Sequence, residues 1–171
     1  MTDYTRLPIG EHAPRRVNAV IEIPRDSVNK YEYDKTLHVF RLDRTLFSPV
    51  HYPGDYGFIP CTLGQDGDPL DVLVLVEAPS FSGCVMEVRP IGVLRMVDQG
   101  KGDEKILAVA SSDPLYREVN DISQVFEHTL REIEHFFSIY KALEGKKTEI
   151  AGWDGVDAAK KIISEGEGTF K

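Results

Sequence analysis

The sequence predicts a mainly β chain of the α+β kind: a barrel or meander of short strands followed by two helices. Six segments before about residue 110 are rich in Val, Ile, Leu, Phe and Tyr and are separated by Pro, Gly, Asp and Asn clusters, the pattern of short strands. From residue 121 the apolar residues recur every three and four positions, the repeat of one helix face. The 171 residues, 42% of them hydrophobic, suffice for one sizeable core and require no second domain.

Residues 1–16 carry Pro8, Gly10, Pro14 and the pair Arg15–Arg16 without a sustained period, and read as an arm over the surface. The strand segments are "NAVIEIP", "KYEYD", "LHVFRL", "DVLVLV", "CVMEVRPIGVLRMV" and "KILAVA". In "NKYEYDK", strand alternation puts Lys30, Glu32 and Asp34 on one face and Tyr31 and Tyr33 on the other. A long helix follows from Asp121 as N-cap to Gly145 beyond its end, with Ile122, Phe126, Leu130, Ile133, Phe137, Tyr140 and Leu143 on one face. A shorter helix is expected from Gly155 to Ser164, capped by Asp154, with Val156, Ala159 and Ile163 inward.

Lys and Arg number 20 against 28 Asp and Glu, a net charge of −8. That balance argues against nucleic acid or an anionic membrane as a partner held by bulk charge. Cys61 and Cys84 form no CxxC pair, and "MTDYTRLPIGEHAPRR" has no apolar core of a secretory signal. The expectation is a cytoplasmic protein with free thiols and no membrane span, since Asp71 and Glu77 close the run from Val72 to Val76.

The chemistry concentrates in carboxylates. "DGDPLD" places Asp66, Asp68 and Asp71 in six residues directly before an apolar run. Like charges about 4–5 Å apart repel by roughly 3–4 kcal/mol at an effective dielectric of about 20, so the cluster needs a compensating cation or full exposure. An EF-hand loop fails, because Leu70 and Asp71 stand at its fifth and sixth positions, the sixth being where the sharp turn wants glycine. Taken alone, Asp66–Pro69 reads equally well as an Asx-rich turn. A further cluster, "DQGKGDEK", sets Asp98 and Asp103 around a glycine-rich loop, with Lys105 on the face of Asp103. Together these segments bring hard oxygen ligands, suited to Mg²⁺ or Mn²⁺, near several strand ends.

"VIEIP", "NKYEYDK", "LDR", "YPGDYGFIP", "DGDPLDV", "IGVLRMVDQGKGDEK", "EHFFSIYKALE" and "GWDG" with the following Ala158–Ala159 occur in an order and spacing that resembles the bacterial branch of the soluble family I inorganic pyrophosphatases, over roughly residues 17–163. The resemblance implies an OB-type five-stranded distorted β-barrel with flanking helices, assembled as a homohexamer, a dimer of trimers. It implies Mg²⁺-dependent hydrolysis of diphosphate to two orthophosphates by a metal-activated water, with several Mg²⁺ per site and Mn²⁺ or Zn²⁺ as possible substitutes.

Carried onto this chain, the metal ligands are Asp66, Asp71, Asp98 and Asp103, with Glu22 and Glu32 as direct or water-bridged ligands. Asp68 resembles the general base. Lys30, Arg44, Lys105, Tyr140 and Lys141 match the phosphate-binding groups, and Tyr52 and Tyr56 the pocket tyrosines. Three positions depart from the family pattern: Asp55 stands where many members have Asn, Phe58 replaces a frequent Tyr, and "GKKTEIAGW" lacks the Trp that often follows the Lys. Two other readings compete. A noncatalytic OB-type module for oligonucleotides or sugars would use exposed tyrosines and a basic groove; a metal-dependent hydrolase of nucleotides would accept other phosphoesters.

Overall fold

The computed structural model describes residues 1–171. Nine strands and two α-helices follow in the order β1 (Val17–Ile23), β2 (Asn29–Asp34), β3 (Val39–Thr45), β4 (Asp55–Phe58), β5 (Asp71–Leu75), β6 (Val85–Asp98), β7 (Lys101–Gly102), β8 (Lys105–Ala110), α1 (Glu127–Ile139), β9 (Thr148–Gly155) and α2 (Val156–Phe170). Strands β1, β4, β5, β8 and β6 are neighbours in that order, and pairing of β1 with β6 closes them into a ring of five. The closure is uneven. The long β6 pairs with β1 at its start, with β8 through its middle across an irregularity between Pro90 and Gly92, and with β9 at its end. This is the distorted five-stranded barrel that the family resemblance implies.

The run "VLVLV" is apolar throughout because β5 is covered on both faces, as parallel strands in a sheet interior are. β5 and β8 run parallel. Val72, Val74, Ile106 and Ala108 pack with Ala159, Ile162 and Ile163 of α2. The alternate residues Leu73, Leu75, Leu107 and Val109 pack with Ile133, Phe136 and Phe137 of α1. Parallel pairing sets Asp71 opposite Lys105 in register, so the charged residues preceding both strands gather at one end of the barrel. Backbones crowd beside it: a Cβ at Gly57 of β4 would stand 1.8 Å from the Val20 carbonyl oxygen, a space only glycine leaves free.

Hairpin β2–β3 forms a separate two-stranded sheet, with a register shift between Lys30 and Tyr31. The arm of residues 1–16 is not loose. Its short 3₁₀ turn, Tyr4–Arg6, packs Tyr4 against Tyr33 and Phe40, and the Thr5 carbonyl accepts the Cys61 N–H at 2.8 Å.

Two helix expectations are corrected. The single helix from Asp121 to Gly145 is broken: Asp121 caps a 3₁₀ turn, Ile122–Gln124, in a capping box, and the backbone is extended at Val125 and Phe126 before α1 begins. Phe126 is consequently 86% exposed instead of lying on the buried face, and Leu143, on a second 3₁₀ turn after α1, is 67% exposed. Gly145 does end the segment, in the left-handed conformation. α2 runs to Phe170 because Gly166 inside it is a packing position, where a Cβ would stand 2.8 Å from Leu70. Asp154 does not cap α2; it belongs to β9, a strand the sequence pattern did not signal, and the Val156 N–H donates to Asp121 instead at 2.9 Å.

Asp121 thus caps two elements, and the Val156 N–H, helped by Ser123, holds its carboxyl below the usual aspartate range. A lowered value stabilises the fold above the unfolded-state pKa and is lost as pH falls through the folded one. Asp121→Ala should lower the free energy of unfolding by about 1 kcal/mol at pH 7, with the deficit shrinking below about pH 4. Urea titrations at both pH values check this, and equal stability at pH 7 would contradict it.

Candidate active site

At the end of the barrel where β5 and β8 begin lies a cavity of about 350 Å³. Its wall carries Glu22, Glu32, Asp66, Asp68, Asp71, Asp98 and Asp103, together with Lys30, Lys35, Lys105 and Lys141. Seven carboxylates therefore meet four ammoniums. Each group arrives on a defined element: Glu22 on β1, Lys30 and Glu32 on β2, Asp71 at the start of β5, Asp98 at the end of β6, and Lys105 at the start of β8. Asp66 and Asp68 sit on an Asx turn in which the Asp68 N–H donates to Asp66 Oδ1 at 3.0 Å. The turn chemistry legible in "DGDP" is real, and it presents both carboxylates to the cavity.

Lys105 is the centre of the arrangement. Its ammonium, with the side chain only 5% exposed, donates to Asp71 Oδ2 at 2.8 Å and to the Tyr56 hydroxyl oxygen at 2.7 Å, and lies 3.0 Å from Asp103 Oδ2. Burial alone would pull it down, but Asp71, with Tyr56 and Asp103, holds it well above the ordinary lysine value. Burial raises the Asp103 carboxyl, against the pull of Lys105, and raises the Tyr56 hydroxyl well above the ordinary tyrosine value. Lys105 also lies over the rings of Tyr56 and Phe137, with centroids 5.3 and 5.5 Å away.

The other acids are compensated less completely. Lys141, just past α1, donates to Asp98 Oδ2 at 2.5 Å, while Asp98 Oδ1 is buried without any partner. Lys35 reaches Asp68 Oδ1 at 2.7 Å from the β2–β3 turn, and Lys30 bonds to Glu32. Glu22 Oε1 accepts the Tyr33 N–H at 2.9 Å, but burial dominates and pushes its carboxyl up to about 8.

Of the residues the sequence singles out, twelve line this cavity, the six acids assigned to metal with Asp68, Lys30, Tyr56, Lys105, Tyr140 and Lys141, and two do not. Arg44 lies beside Lys30 across the hairpin, outside the cavity wall, its Nη1 paired with Asp43 and its Nε with Glu144. Tyr52 is buried beneath the wall, its ring 5.5 Å from Tyr56 and 4.7 Å from Phe136, and burial raises its hydroxyl. Sequence reasoning missed Lys35 and Thr5, which also line the cavity. Lys35 closes the motif "NKYEYDK" and was the one signal available; Thr5 had none.

The donor set fits hard divalent cations. An excess of carboxylates over ammoniums, oxygen donors throughout, and the orphaned Asp98 Oδ1 leave negative charge that more cation would satisfy. As the side chains stand, no three acidic groups surround one point closely enough to hold an ion; Lys105 sits between Asp71 and Asp103, and ammoniums carry the neutralising charge.

The family description "Inorganic pyrophosphatase" matches residues 19–171. An inorganic pyrophosphatase of Halalkalibacterium halodurans is 52% identical over 152 residues, 89% of this chain and 93% of that protein. One from a Nostoc species is 49% identical over 169 residues, 99% of each chain. The crystal structure of inorganic pyrophosphatase from Thermus thermophilus superposes with a TM-score of 0.97 at 45% identity, covering 99% of both chains. The chain belongs to the inorganic pyrophosphatase family, in its bacterial-type family I branch, and its barrel is of the OB type.

If Lys105 compensates Asp71 and Asp103, Lys105→Met should cost about 3 kcal/mol of unfolding free energy in EDTA, the usual result of leaving buried charge unpaired. Chemical denaturation of both proteins in EDTA measures it. A Met variant as stable as wild type would show that the two carboxylates do not depend on the ammonium.

Proposed function

We propose that the protein hydrolyses inorganic diphosphate to two orthophosphates with the help of divalent cations, Mg²⁺ foremost, held by Asp66, Asp71, Asp98 and Asp103 with Glu22 and Glu32 close by. Family membership supports the activity. The observation that carries the metal-assisted reading is the imbalance of the cavity: an acid-rich wall repels a polyanionic substrate unless cations accompany it. Bound there, divalent ions supply Lewis-acid activation of a water and neutralise phosphate charge.

The chain's own residues do the rest. In hydrolysis the water oxygen forms a bond to one phosphorus, the bridging P–O bond breaks, and the departing phosphate takes the electron pair. Asp68 accepts the proton that the water loses; its carboxylate is two-thirds exposed on the loop tip and bound only by the half-exposed Lys35. Lys30, Lys141 and Arg44 hold the outer oxygens, Arg44 as a planar fork. Tyr140 supplies a hydroxyl beside Lys141. Lys105 fixes the Tyr56 hydroxyl and both acids through one ammonium, so these groups are oriented before substrate arrives.

The proposal extends to a homohexamer built as a dimer of trimers in the cytoplasm. Large apolar side chains exposed at Phe47, Phe81, Leu115 and Phe126 suit subunit contacts. No helix is long and apolar enough to cross a membrane. An oligonucleotide-binding role gains no support from the cavity, whose wall is acidic where such a groove is basic.

Orthophosphate release from diphosphate tests the reading. Activity should be fast with Mg²⁺ and abolished by EDTA, and Asp68→Asn should slow it about 10²–10⁴-fold. Tripolyphosphate and ATP run in parallel should release far less phosphate. Release from ATP at the rate seen with diphosphate would replace this substrate with a nucleotide.

A further inference from the structure

Glu144 is a buried acid that neither the cavity nor the core accounts for. Its side chain is 7% exposed, Oε1 stands 2.8 Å from Arg44 Nε, and Oε2 is buried with no hydrogen-bond partner. A carboxylate held this way is expensive to bury and is weak evidence of stabilisation. Its neighbours say more. Glu144 ends the 3₁₀ turn Ala142–Glu144, directly after Tyr140 and Lys141, while Arg44 lies on β3, in the hairpin that stands apart from the barrel sheet.

The pair therefore bridges two elements that must be in register if their groups are to act on one substrate. Arg44 Nη1 bonds to Asp43 on its own strand, which cannot fix the hairpin relative to α1. Glu144 can. Burial pulls the Arg44 guanidinium down, but the Glu144 charge, with Asp43, raises it. Arg44 Nε makes no aligned hydrogen bond, so Glu144 holds the guanidinium by charge and leaves donors of the five-N–H fork uncommitted.

We propose that Glu144 is a positioning residue for the phosphate-binding fork of Arg44, an inference that rests on the diphosphatase reading. One short segment, Tyr140–Glu144, then supplies Tyr140 and Lys141 directly and sets Arg44 through Glu144. A purely structural Glu144 would alter the melting temperature and leave the kinetics of the folded enzyme alone.

The test is a double-mutant cycle on diphosphate hydrolysis with Mg²⁺, using Glu144→Ala, Arg44→Ala and the double variant, with Glu144→Gln as the near-isosteric control. Glu144→Ala should lower kcat/KM about tenfold, chiefly through KM, as expected when a binding group is misplaced. Glu144→Gln, which keeps the shape and removes the charge, should lose about as much and should decide the matter if the Ala variant does not fold. In the Arg44→Ala background the Glu144→Ala change should have no further effect, since coupled residues are non-additive. An active wild type whose kcat/KM is unmoved by either Glu144 variant overturns the proposal, as does a full loss that persists without Arg44. A wild type that releases no orthophosphate overturns the diphosphatase reading and the proposal with it.

Discussion

The ammonium of Lys105, buried between Asp71 and Asp103 against the Tyr56 hydroxyl, is the contact on which this architecture turns. Two carboxylates at the mouth of an apolar barrel cannot share one desolvated space without a cation. The parallel β5–β8 pairing supplies it, because it fixes Asp71 and Lys105 as register partners. The same pairing requires apolar cover on both faces, which α1 and α2 provide. Core and site are thus consequences of one topological choice.

The remaining acids are arranged around that pair with less cation than they need. Lys141 and Lys35 each answer one carboxylate, and Asp98 keeps an oxygen buried and unmatched. Such incomplete satisfaction is what functional sites show, and it costs stability that the surrounding packing must cover. It also makes the cavity receptive to further positive charge. The barrel strands hold Asp71, Asp98 and Lys105, whereas the Asx turn and the separate hairpin bring Asp66, Asp68 and Lys30 to the same cavity.

The six apolar segments are legible as strands because each is rich in β-branched, leucine or aromatic residues between turn-forming ones, and the acid clusters are legible because repulsion demands an explanation. β9 was not: "TEIAGWDG" is glycine-bearing and only half-buried, and it is a strand because the far end of β6 offers it a partner. The unbroken helix from Asp121 failed for a related reason. Its apolar spacing continues through Phe126, but the Asp121–Gln124 capping box closes a 3₁₀ turn first, and Asp121 is then needed by the Val156 N–H. Arg44 was recognised from its motif, yet nothing in the sequence linked it to Glu144, a hundred residues away. Such pairings between separate elements are set by tertiary packing and leave no periodic trace.

The central claim is that an acid-rich cavity, only partly neutralised by lysines, is completed by divalent cations. Its most direct test is the thermal unfolding of the wild-type protein across a Mg²⁺ titration from EDTA to millimolar concentration. The melting temperature should climb with Mg²⁺, by the equivalent of about 2.7 kcal/mol once the free ion reaches roughly a hundred times its dissociation constant. A melting temperature that does not move would mean that the carboxylates converge for some other reason, and the account given for this site would be wrong.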